Sequence, residues 1–333
     1  MPKLKVVITD YIESNLDWET EQFAQMGVDF SAYQLKNTPA VELLKVIAEA
    51  DVVIVNMASM NEELLNNLKH TKLIIRHGVG YDNIDVPAAS RRGIVVSYMP
   101  DYCMHEVAEQ AVMLIMACQR KLNQQIHLTE ESSRSGKWIF EPVYPIYSIC
   151  GKTLGIIGCG RIGSLVHTMM QNFGLARTLI CDPYLTEERR HELKSPFLPL
   201  DELLSESDIV TIHTPLGPET YHLLDEPQFK LMKSSAILVN TARGGIVNLE
   251  ALDRAIKVGR PGFAGIDVYE HEPPAMGMAI LANEKVICTP HLAWLSEESG
   301  WNIRKQIVAD VDGFLHHKGP RHPIDKSVLI RFE

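Results

Sequence analysis

Three side chains of complementary chemistry, Arg243, Glu272 and His291, each follow a predicted strand in the last third of the chain. A guanidinium holds a carboxylate in two-point geometry, and a histidine delivers a proton as hydride reaches a carbonyl carbon. A carboxylate paired with that histidine favours its protonated form and fixes its tautomer. Because open α/β sheets bind ligands at the carboxyl ends of their strands, we expect the three residues to meet and to serve the reduction of a keto acid. The preceding strands are predicted at 235–239, 262–266 and 285–288.

Each of these residues also has an ordinary structural explanation. Arg243 could form a structural ion pair, His291 could cap a loop and Glu272 could be a surface acid. Each explanation is reasonable for one residue alone, but all three together, beside a nucleotide-binding motif, are much less expected.

That motif is a glycine-rich turn after an apolar run. Gly158, Gly160 and Gly163 have the spacing G-x-G-x-x-G and lead into a predicted helix. The first glycine permits a tight turn, the second lets the backbone approach a pyrophosphate, and the third allows close packing of helix and strand. The N–H groups of Arg161 and Ile162, at the helix start, would face the phosphates. The alternative is a strand–helix turn that binds no ligand.

The context of the turn favours a dinucleotide, and NAD over NADP. A second predicted strand, 178–181, ends in Asp182, about twenty residues past the last glycine, where dinucleotide folds place the carboxylate for the adenosine ribose. Asp182 would also repel a 2′-phosphate. Arg189 and Arg190 follow closely in sequence, so the choice between the two cofactors stays open to that extent.

Composition narrows the classes of function. A chain of 333 residues with 46% hydrophobic residues suggests two domains with sizeable cores. The net charge of −10 argues against nucleic acid or an anionic membrane as a partner. We see no secretory leader or membrane-spanning run, and six scattered cysteines without a C-x-x-C pair indicate reduced thiols. We therefore expect a cytoplasmic protein.

No metal site is predicted. The pair His105-Glu106 begins a helix as in zinc proteases, but the fourth residue after His105 is Glu109, so the H-E-x-x-H motif is missing.

Apolar runs alternate with helical patterns along the chain, which predicts an α/β fold with parallel sheets. The first hundred residues resemble a flavodoxin-like layer, with strands at 5–10, 51–55, 72–76 and 93–97 and helices at 17–27, 39–49 and 61–69. A long buried helix over 104–122 and a polar connection over 123–150 come next. The second layer has a further strand at 208–212 and helices at 161–173, 200–206, 226–233 and 248–259, and a long amphipathic helix is predicted at 296–317.

The loop 77–85 contains two glycines directly after a predicted strand. Its backbone N–H groups, at Val79 and Gly80, could bind a small anion. The alternative is an ordinary turn that enters a helix.

Six segments together resemble the D-isomer-specific 2-hydroxyacid dehydrogenases, and they extend over nearly the whole chain. They are 78–85, 106–109, 154–163, 240–245, 267–274 and 289–291. The resemblance implies two Rossmann-like or flavodoxin-like domains with the active site in the cleft between them. It implies a discontinuous substrate-binding domain at 1–100 plus 296–333 and an NAD-binding Rossmann domain at 101–295. It also implies a homodimer joined through the NAD-binding domains, with the helix 104–122 at the interface.

The resemblance assigns roles to individual residues. Arg243 would bind the substrate, His291 would be the acid/base and Glu272 its partner. The remaining cofactor contacts would come from Asp267 at the nicotinamide carboxamide, from Thr214 and Pro215 beside the adenosine, and from Thr241, Ala242 and Arg243 beside the nicotinamide, near His291. Val79 and Gly80 would donate to the substrate carboxylate, and Trp294 is a candidate for the substrate pocket.

The leading hypothesis is an NAD(H)-dependent enzyme that interconverts a small 2-keto acid and its D-2-hydroxy acid. Within the family, the segments 101–103, 182–185 and 293–298 look like the branch of C-terminal-binding-protein-like dehydrogenases and glycerate/hydroxypyruvate reductases. That branch supplies the alternative, an NAD(H)-sensing corepressor-like interaction protein on the same scaffold. Retention of all three catalytic residues argues against the alternative.

The loop 56–60 bears on the substrate because many relatives carry a cation there and this chain has none. A phosphorylated substrate would need that charge. Met57, Met60, Tyr81 and Trp294 could line a pocket for an uncharged group, although ordinary packing explains the methionines equally well.

Overall fold

The computed structural model describes residues 3–331. The chain forms two compact units: residues up to Cys103 together with those from Ser296 onward make the first, and Met104–Leu295 make the second. The roles predicted for two such domains, substrate binding and NAD binding, stay predictions at this point.

The first unit is a five-stranded parallel sheet in the order β2-β1-β3-β4-β5. Its strands are β1 (Lys5–Ile8), β2 (Asp29–Ala32), β3 (Val52–Val55), β4 (Leu73–Arg76) and β5 (Val95–Ser97). Its helices are α1 (Asp17–Gln25), α2 (Ala40–Ile47), α3 (Glu62–Asn66) and α4 (Val86–Arg91). The flavodoxin-like prediction is confirmed, although β2 and α4 were not predicted. The edge strand β2 has the sequence DFSA and no buried residue. It therefore lacks the apolar run from which the neighbouring strands were predicted.

The central strands of this sheet are covered on both faces, as parallel sheets require. Val6 pairs with Val52, and Val53 pairs with Ile74, and all four side chains are completely buried. This continuous apolar layer holds the carboxyl ends of β1, β3 and β4 in one row.

The helix Glu297–Leu315, which is the twelfth α-helix of the chain, belongs to this unit. Its Arg304 forms an ion pair with the buried Glu19 of α1. Its completely buried Asp310 accepts hydrogen bonds from Ser97 Oγ at 2.5 Å and from Arg321 Nε at 2.9 Å. The chain therefore returns to its first unit after completing the second.

The second unit is a six-stranded parallel sheet in the order β11-β10-β9-β8-β6-β7. Its strands are β6 (Thr153–Ile157), β7 (Arg177–Cys181), β8 (Ile209–Ile212), β9 (Ile237–Asn240), β10 (Phe263–Ile266) and β11 (Val286–Cys288). Phe197 extends the sheet beside β7 through a parallel bridge to Ile180. Because β7 and β8 lie on opposite sides of β6, the loop after β6 is at the topological switch point, where such sheets bind ligands.

The structure corrects the predicted helix 104–122 and the predicted polar connection 123–150, which come first in the second unit. The helix α5 (Met104–Gln119) ends early, Lys121 adopts a left-handed φ of 53°, and a separate helix, α6 (Leu122–Ser135), occupies half of the supposed connection. No glycine or proline lies between α5 and α6, so the sequence does not indicate the break between the two helices. The remaining helices are α7 (Arg161–Met170), α8 (Glu187–Leu193), α9 (Leu200–Glu206), α10 (Glu226–Leu231) and α11 (Leu249–Lys257), and the helix Glu297–Leu315 is α12.

The burial predicted for α5 is confirmed. Ala108, Ala111, Leu114 and Ile115 are completely buried against the sheet. A Cβ added to Gly265 of β10 would lie 2.9 Å from Leu114 Cβ, so helix and sheet approach at a position that only glycine permits. Within residues 3–331, no helix is long and apolar enough to cross a membrane.

Candidate active site

The three residues with complementary chemistry follow three neighbouring strands. Arg243 follows β9, Glu272 follows β10 and His291 follows β11, and β10 pairs in parallel with both of the other strands. The loops therefore leave the sheet along the same edge, as the sequence predicted.

Glu272 and His291 are in direct contact. His291 Nδ1 lies 2.7 Å from Glu272 Oε2, and the side chains are 33% and 25% exposed. The second carboxylate oxygen, Oε1, accepts the Tyr269 N–H at 3.1 Å. Burial raises the pKa of Glu272, but the hydrogen bond and charge of His291, the Tyr269 N–H and the charge of Arg243 together lower it below its ordinary value. Glu272 is therefore an ionised acceptor for a proton on His291 Nδ1, and this contact orients the imidazole ring.

The charge of Arg243 contributes to the lowered pKa of Glu272. The buried Asn240 shapes the loop that carries this arginine: Asn240 Nδ2 donates to Arg243 O at 2.9 Å, and Asn240 Oδ1 accepts the Ala242 N–H at 3.0 Å. Arg243 Nη1 also donates to Ala242 O at 2.9 Å. These bonds direct the arginine from the end of β9.

Gly244 sets the distance between the arginine loop and the glutamate loop. A Cβ at this position would lie 1.9 Å from Tyr269 C and 2.2 Å from Tyr269 O. These are backbone atoms that cannot rotate away, so any larger residue would push the two loops apart. The close packing of the arginine loop on the glutamate loop therefore depends on a glycine.

Asp267 organises the loop that carries His291. Its carboxylate is completely buried and accepts three hydrogen bonds, from Thr289 Oγ1 at 2.5 Å, the Leu292 N–H at 3.1 Å and the Ala293 N–H at 2.9 Å. Its carbonyl oxygen accepts the His291 N–H at 2.8 Å. The contact of Asp267 with a nicotinamide, which the resemblance implies, stays a prediction.

The glycine turn fits a dinucleotide. Gly158 has a left-handed φ of 83°, and a Cβ there would lie 2.7 Å from the Thr214 backbone nitrogen. A Cβ at Gly163 would lie 2.2 Å from Gly158 O, whereas one at Gly160 would meet no atom within 4 Å. No side chain caps the start of α7, which leaves the N–H groups of its first turn, including those of Arg161, directed at the turn.

Asp182 lies beside this turn, directly after β7. Its Oδ2 accepts the Cys159 N–H at 2.8 Å, and its Oδ1 accepts the Tyr184 N–H at 3.0 Å. Each carboxylate oxygen retains a lone pair that could accept a ribose hydroxyl. Thr214 and Pro215 follow β8, so the strand-end positions predicted for the adenosine side belong to β6, β7 and β8.

Val79 and Gly80 belong to the first unit and follow β4, and both are partly exposed. Before them, His77 lies 3.1 Å from Glu13 in a pair that is nearly buried. Although burial raises it, the hydrogen bond and charge of His77 and backbone N–H groups lower the pKa of Glu13 to about 2. This contact anchors the start of the predicted carboxylate-binding loop.

The methionine pocket is only partly compatible with the structure. Met60 is completely buried in the core of the first unit, so packing explains it. Met57 and Tyr81 expose 36% and 37% of their surface, and Trp294 is partly buried.

Several positions that shape the site were not predicted as functional. Asn240, Gly244 and Tyr269 act on the loops, and His222 binds Glu270 at 3.0 Å beside the glutamate loop. A glycine pair directly after the arginine was the available signal for Gly244. Asn240 and Tyr269 act through local contacts within their loops, which no sequence pattern indicated, and the contact of His222 joins residues 48 positions apart. No group of metal-binding side chains occurs among the described residues.

Comparisons with known proteins agree with this architecture. The model of the D-isomer specific 2-hydroxyacid dehydrogenase family, NAD binding domain, matches residues 112–293. A glyoxylate reductase of Korarchaeum cryptofilum is 36% identical over 81% of each chain, and one of Thermococcus gammatolerans is 34% identical over 98% of this chain and 97% of its own. A crystal structure of D-lactate dehydrogenase from Aquifex aeolicus, complexed with NAD and lactic acid, has a TM-score of 0.83 at 29% identity and covers 94% of this chain and 96% of its own.

The chain therefore belongs to the D-isomer specific 2-hydroxyacid dehydrogenase family. It is an NAD-dependent oxidoreductase that interconverts a 2-keto acid and a 2-hydroxy acid. The comparisons give no support to the corepressor-like alternative.

Proposed function

We propose that the protein reduces small, unphosphorylated 2-keto acids of the glyoxylate class to D-2-hydroxy acids, with Arg243, Glu272 and His291 as the catalytic residues. The observation that carries the proposal is the 2.7 Å contact between His291 Nδ1 and Glu272 Oε2, on loops that leave the same edge of the sheet as the loop of Arg243. The named glyoxylate reductases among the relatives support the substrate class.

Arg243, Glu272 and His291 have separate roles in the proposed reduction. When bound, the nicotinamide supplies the hydride. Arg243 orients the substrate through its carboxylate and polarises the keto oxygen. Because Glu272 occupies Nδ1, protonated His291 presents Nε2 to that oxygen and transfers its proton there, which completes the hydroxyl group. In the reverse direction, neutral His291 removes the hydroxyl proton, and Glu272 stabilises the imidazolium that forms.

The proposed cofactor contacts come from residues at the carboxyl edge of the second sheet. The turn Gly158–Gly163 would hold the pyrophosphate and Asp182 the adenosine ribose. Thr241 and Ala242, next to the arginine, would run beside the nicotinamide. Val79 and Gly80 would donate to the substrate carboxylate.

The charge of the loop after β3 favours unphosphorylated over phosphorylated substrates. No cation occurs in the loop 56–60 after β3, although a phosphorylated substrate would favour one. Phosphoglycerate is therefore a poorer substrate in this proposal, even though a D-3-phosphoglycerate dehydrogenase of Archaeoglobus fulgidus is 36% identical over half of its own length.

We further propose a homodimer in the cytoplasm. Large apolar side chains are exposed on α5, α6 and the connection to β6: Met113, Ile126, Trp138, Tyr144 and Tyr147. A second copy that covers them would remove this surface from water.

None of the six cysteines forms a disulfide, which supports a reducing compartment.

The test is NADH oxidation with glyoxylate, hydroxypyruvate, pyruvate and longer 2-keto acids, for the wild type and for Arg243→Ala. We expect turnover of the small acids by the wild type and its loss in the variant, while NADH binding, measured by fluorescence titration, persists. Turnover that survives in Arg243→Ala would refute the assignment of that residue.

A further inference from the structure

The loop after β10 carries two glutamates, and a histidine from a different loop contacts each of them. Glu272 contacts His291, which follows β11. Glu270 Oε2 lies 3.0 Å from Nε2 of His222, which follows β8, and both of these side chains are largely buried. Because a carboxylate only accepts hydrogen bonds, the proton of this contact belongs to His222 Nε2. The glutamate loop is therefore held by two histidines, one from each of two other loops.

The second carboxylate oxygen of Glu270 binds the segment that follows Arg243. Glu270 Oε1 accepts the Leu249 N–H at 3.3 Å, at the start of α11. A Cβ at Gly244 would lie 2.4 Å from the Glu270 backbone nitrogen, so the arginine loop also packs closely on the glutamate loop at this residue. Glu270 therefore joins three segments of chain, which follow β8, β9 and β10.

The backbone of His222 adopts an unfavourable conformation at this contact. Its φ is 47°, in the left-handed region that side chains other than glycine rarely adopt. Its N–H donates to Gly245 O at 2.8 Å, and the Leu224 N–H donates to Ile246 O at 3.1 Å. The segment that contains His222 is thus bound to the backbone shortly after Arg243. Such strain persists only where the surroundings impose it, and it is concentrated at functional sites.

The ring of His222 is also held from one face. The Tyr221 ring stacks on it, with the centroids 4.1 Å apart and an angle of 14° between the planes. The pair of His70 with Glu49 provides the contrast, because both of its side chains are more than half exposed, and such surface pairs contribute little to stability. The contact of His222 with Glu270 differs in that its ring is fixed and in that it joins loops of the candidate active site.

We propose that His222 and Glu270 are positioning residues of the reaction. Their hydrogen bond holds the arginine loop and the glutamate loop in the spacing at which Arg243 and Glu272 act on one substrate, and neither residue needs to touch that substrate. Loss of the bond lets the loops separate, which weakens binding of the keto acid because a displaced guanidinium loses its two-point contact with the carboxylate. The inference rests on the proposed function for the roles of Arg243 and Glu272.

The experiment measures steady-state reduction of glyoxylate and the affinity for NADH in the full chain. The variants are His222→Asn, Glu270→Ala, Glu270→Gln and the double variant of the first two. Asparagine tolerates a left-handed φ, so His222→Asn removes the contact without added backbone strain. We expect each of the first two variants to raise KM for glyoxylate about tenfold, through loss of a hydrogen bond to a charged group, and to change the dissociation constant of NADH by less than about threefold.

The remaining variants test whether the two residues act as a pair. The double variant should raise KM no further than the worse single variant, because the same bond is lost. Glu270→Gln keeps one acceptor oxygen and should recover part of the loss. His70→Asn removes an exposed histidine paired with Glu49 and is the control.

Two kinetic results would overturn the inference. One is an unchanged KM for glyoxylate in His222→Asn with only a lower midpoint of unfolding, since a purely structural residue changes the amount of folded enzyme and not its KM. The other is a double variant in which the two increases in KM multiply.

A further readout does not depend on turnover. In NMR spectra of protein with isotope-labelled histidine, the proton on His291 Nδ1 is identified by its absence from His291→Asn. It should exchange with water faster in Glu270→Ala than in the wild type, because the glutamate loop has loosened, and an unchanged exchange rate would overturn the inference. Absence of keto acid reduction by the wild type would instead contradict the proposed function, so the two failures are distinguishable.

Discussion

The carbonyl oxygen of Asp267 accepts the backbone N–H of His291 at 2.8 Å, and His291 adopts a left-handed φ of 56°. A histidine in this region is strained and persists only where its surroundings impose it. The buried Asp267 carboxylate does so by binding the N–H groups of Leu292 and Ala293. The Asp267 carboxylate thus holds the backbone from which the His291 side chain extends, and it needs no contact with substrate to do so.

Replacement of that carboxylate by an amide should disturb the histidine loop. In Asp267→Asn, one acceptor oxygen becomes a donor that faces backbone N–H groups, which costs about 2 kcal/mol. We expect a lower midpoint of thermal unfolding together with a lower kcat. If Asp267 acts only through the nicotinamide, the variant will bind NADH more weakly but unfold at the wild-type temperature.

The pairing of Glu272 with His291 predicts the pH dependence of keto acid reduction. The pKa of Glu272 is lowered from its ordinary value of 4.5, so the carboxylate is present above that value and its stabilising contribution is lost only as the pH falls through the lowered pKa. Because the pairing needs the ionised carboxylate, kcat/KM for reduction should fall on the acid side as the pH drops through the lowered pKa of Glu272. In Glu272→Gln, kcat/KM should be lower at neutral pH and this acid-side fall should be absent. A pH profile that superimposes on that of the wild type would exclude the pairing as a functional contact.

A substitution at Gly244 would test whether activity depends on the spacing of the arginine loop and the glutamate loop. In Gly244→Ala, the new methyl group would overlap the Tyr269 backbone, and relief of the overlap should cost about 1–3 kcal/mol and separate Arg243 from Glu272. We expect reduced kcat/KM for the keto acid and a lower unfolding midpoint. Gly217→Ala is the matched control, because a Cβ there meets no atom within 4 Å; equal effects of the two substitutions would contradict the spacing argument.

Much of this architecture was accessible from the sequence because parallel strands are buried on both faces and stand out as apolar runs. The position of Arg243, Glu272 and His291 after neighbouring strands followed from that pattern. The edge strand β2 and the helix α6 were missed because their residues are mostly polar. The glycines beside them, Gly27 before β2 and Gly136 after α6, do not by themselves distinguish such elements from loops. The role of Asp267 in shaping the histidine loop was not accessible either, since its hydrogen bonds join residues 22–26 positions apart.

The most direct test of the account is steady-state reduction of glyoxylate by His291→Ala, with NADH affinity measured on the same preparation by fluorescence titration. Removal of a general acid lowers kcat by about 10²–10⁴-fold, and we predict a loss in this range with the dissociation constant of NADH changed by less than about threefold. A variant that retains kcat within about tenfold of the wild type would contradict the assignment of His291 as the acid/base.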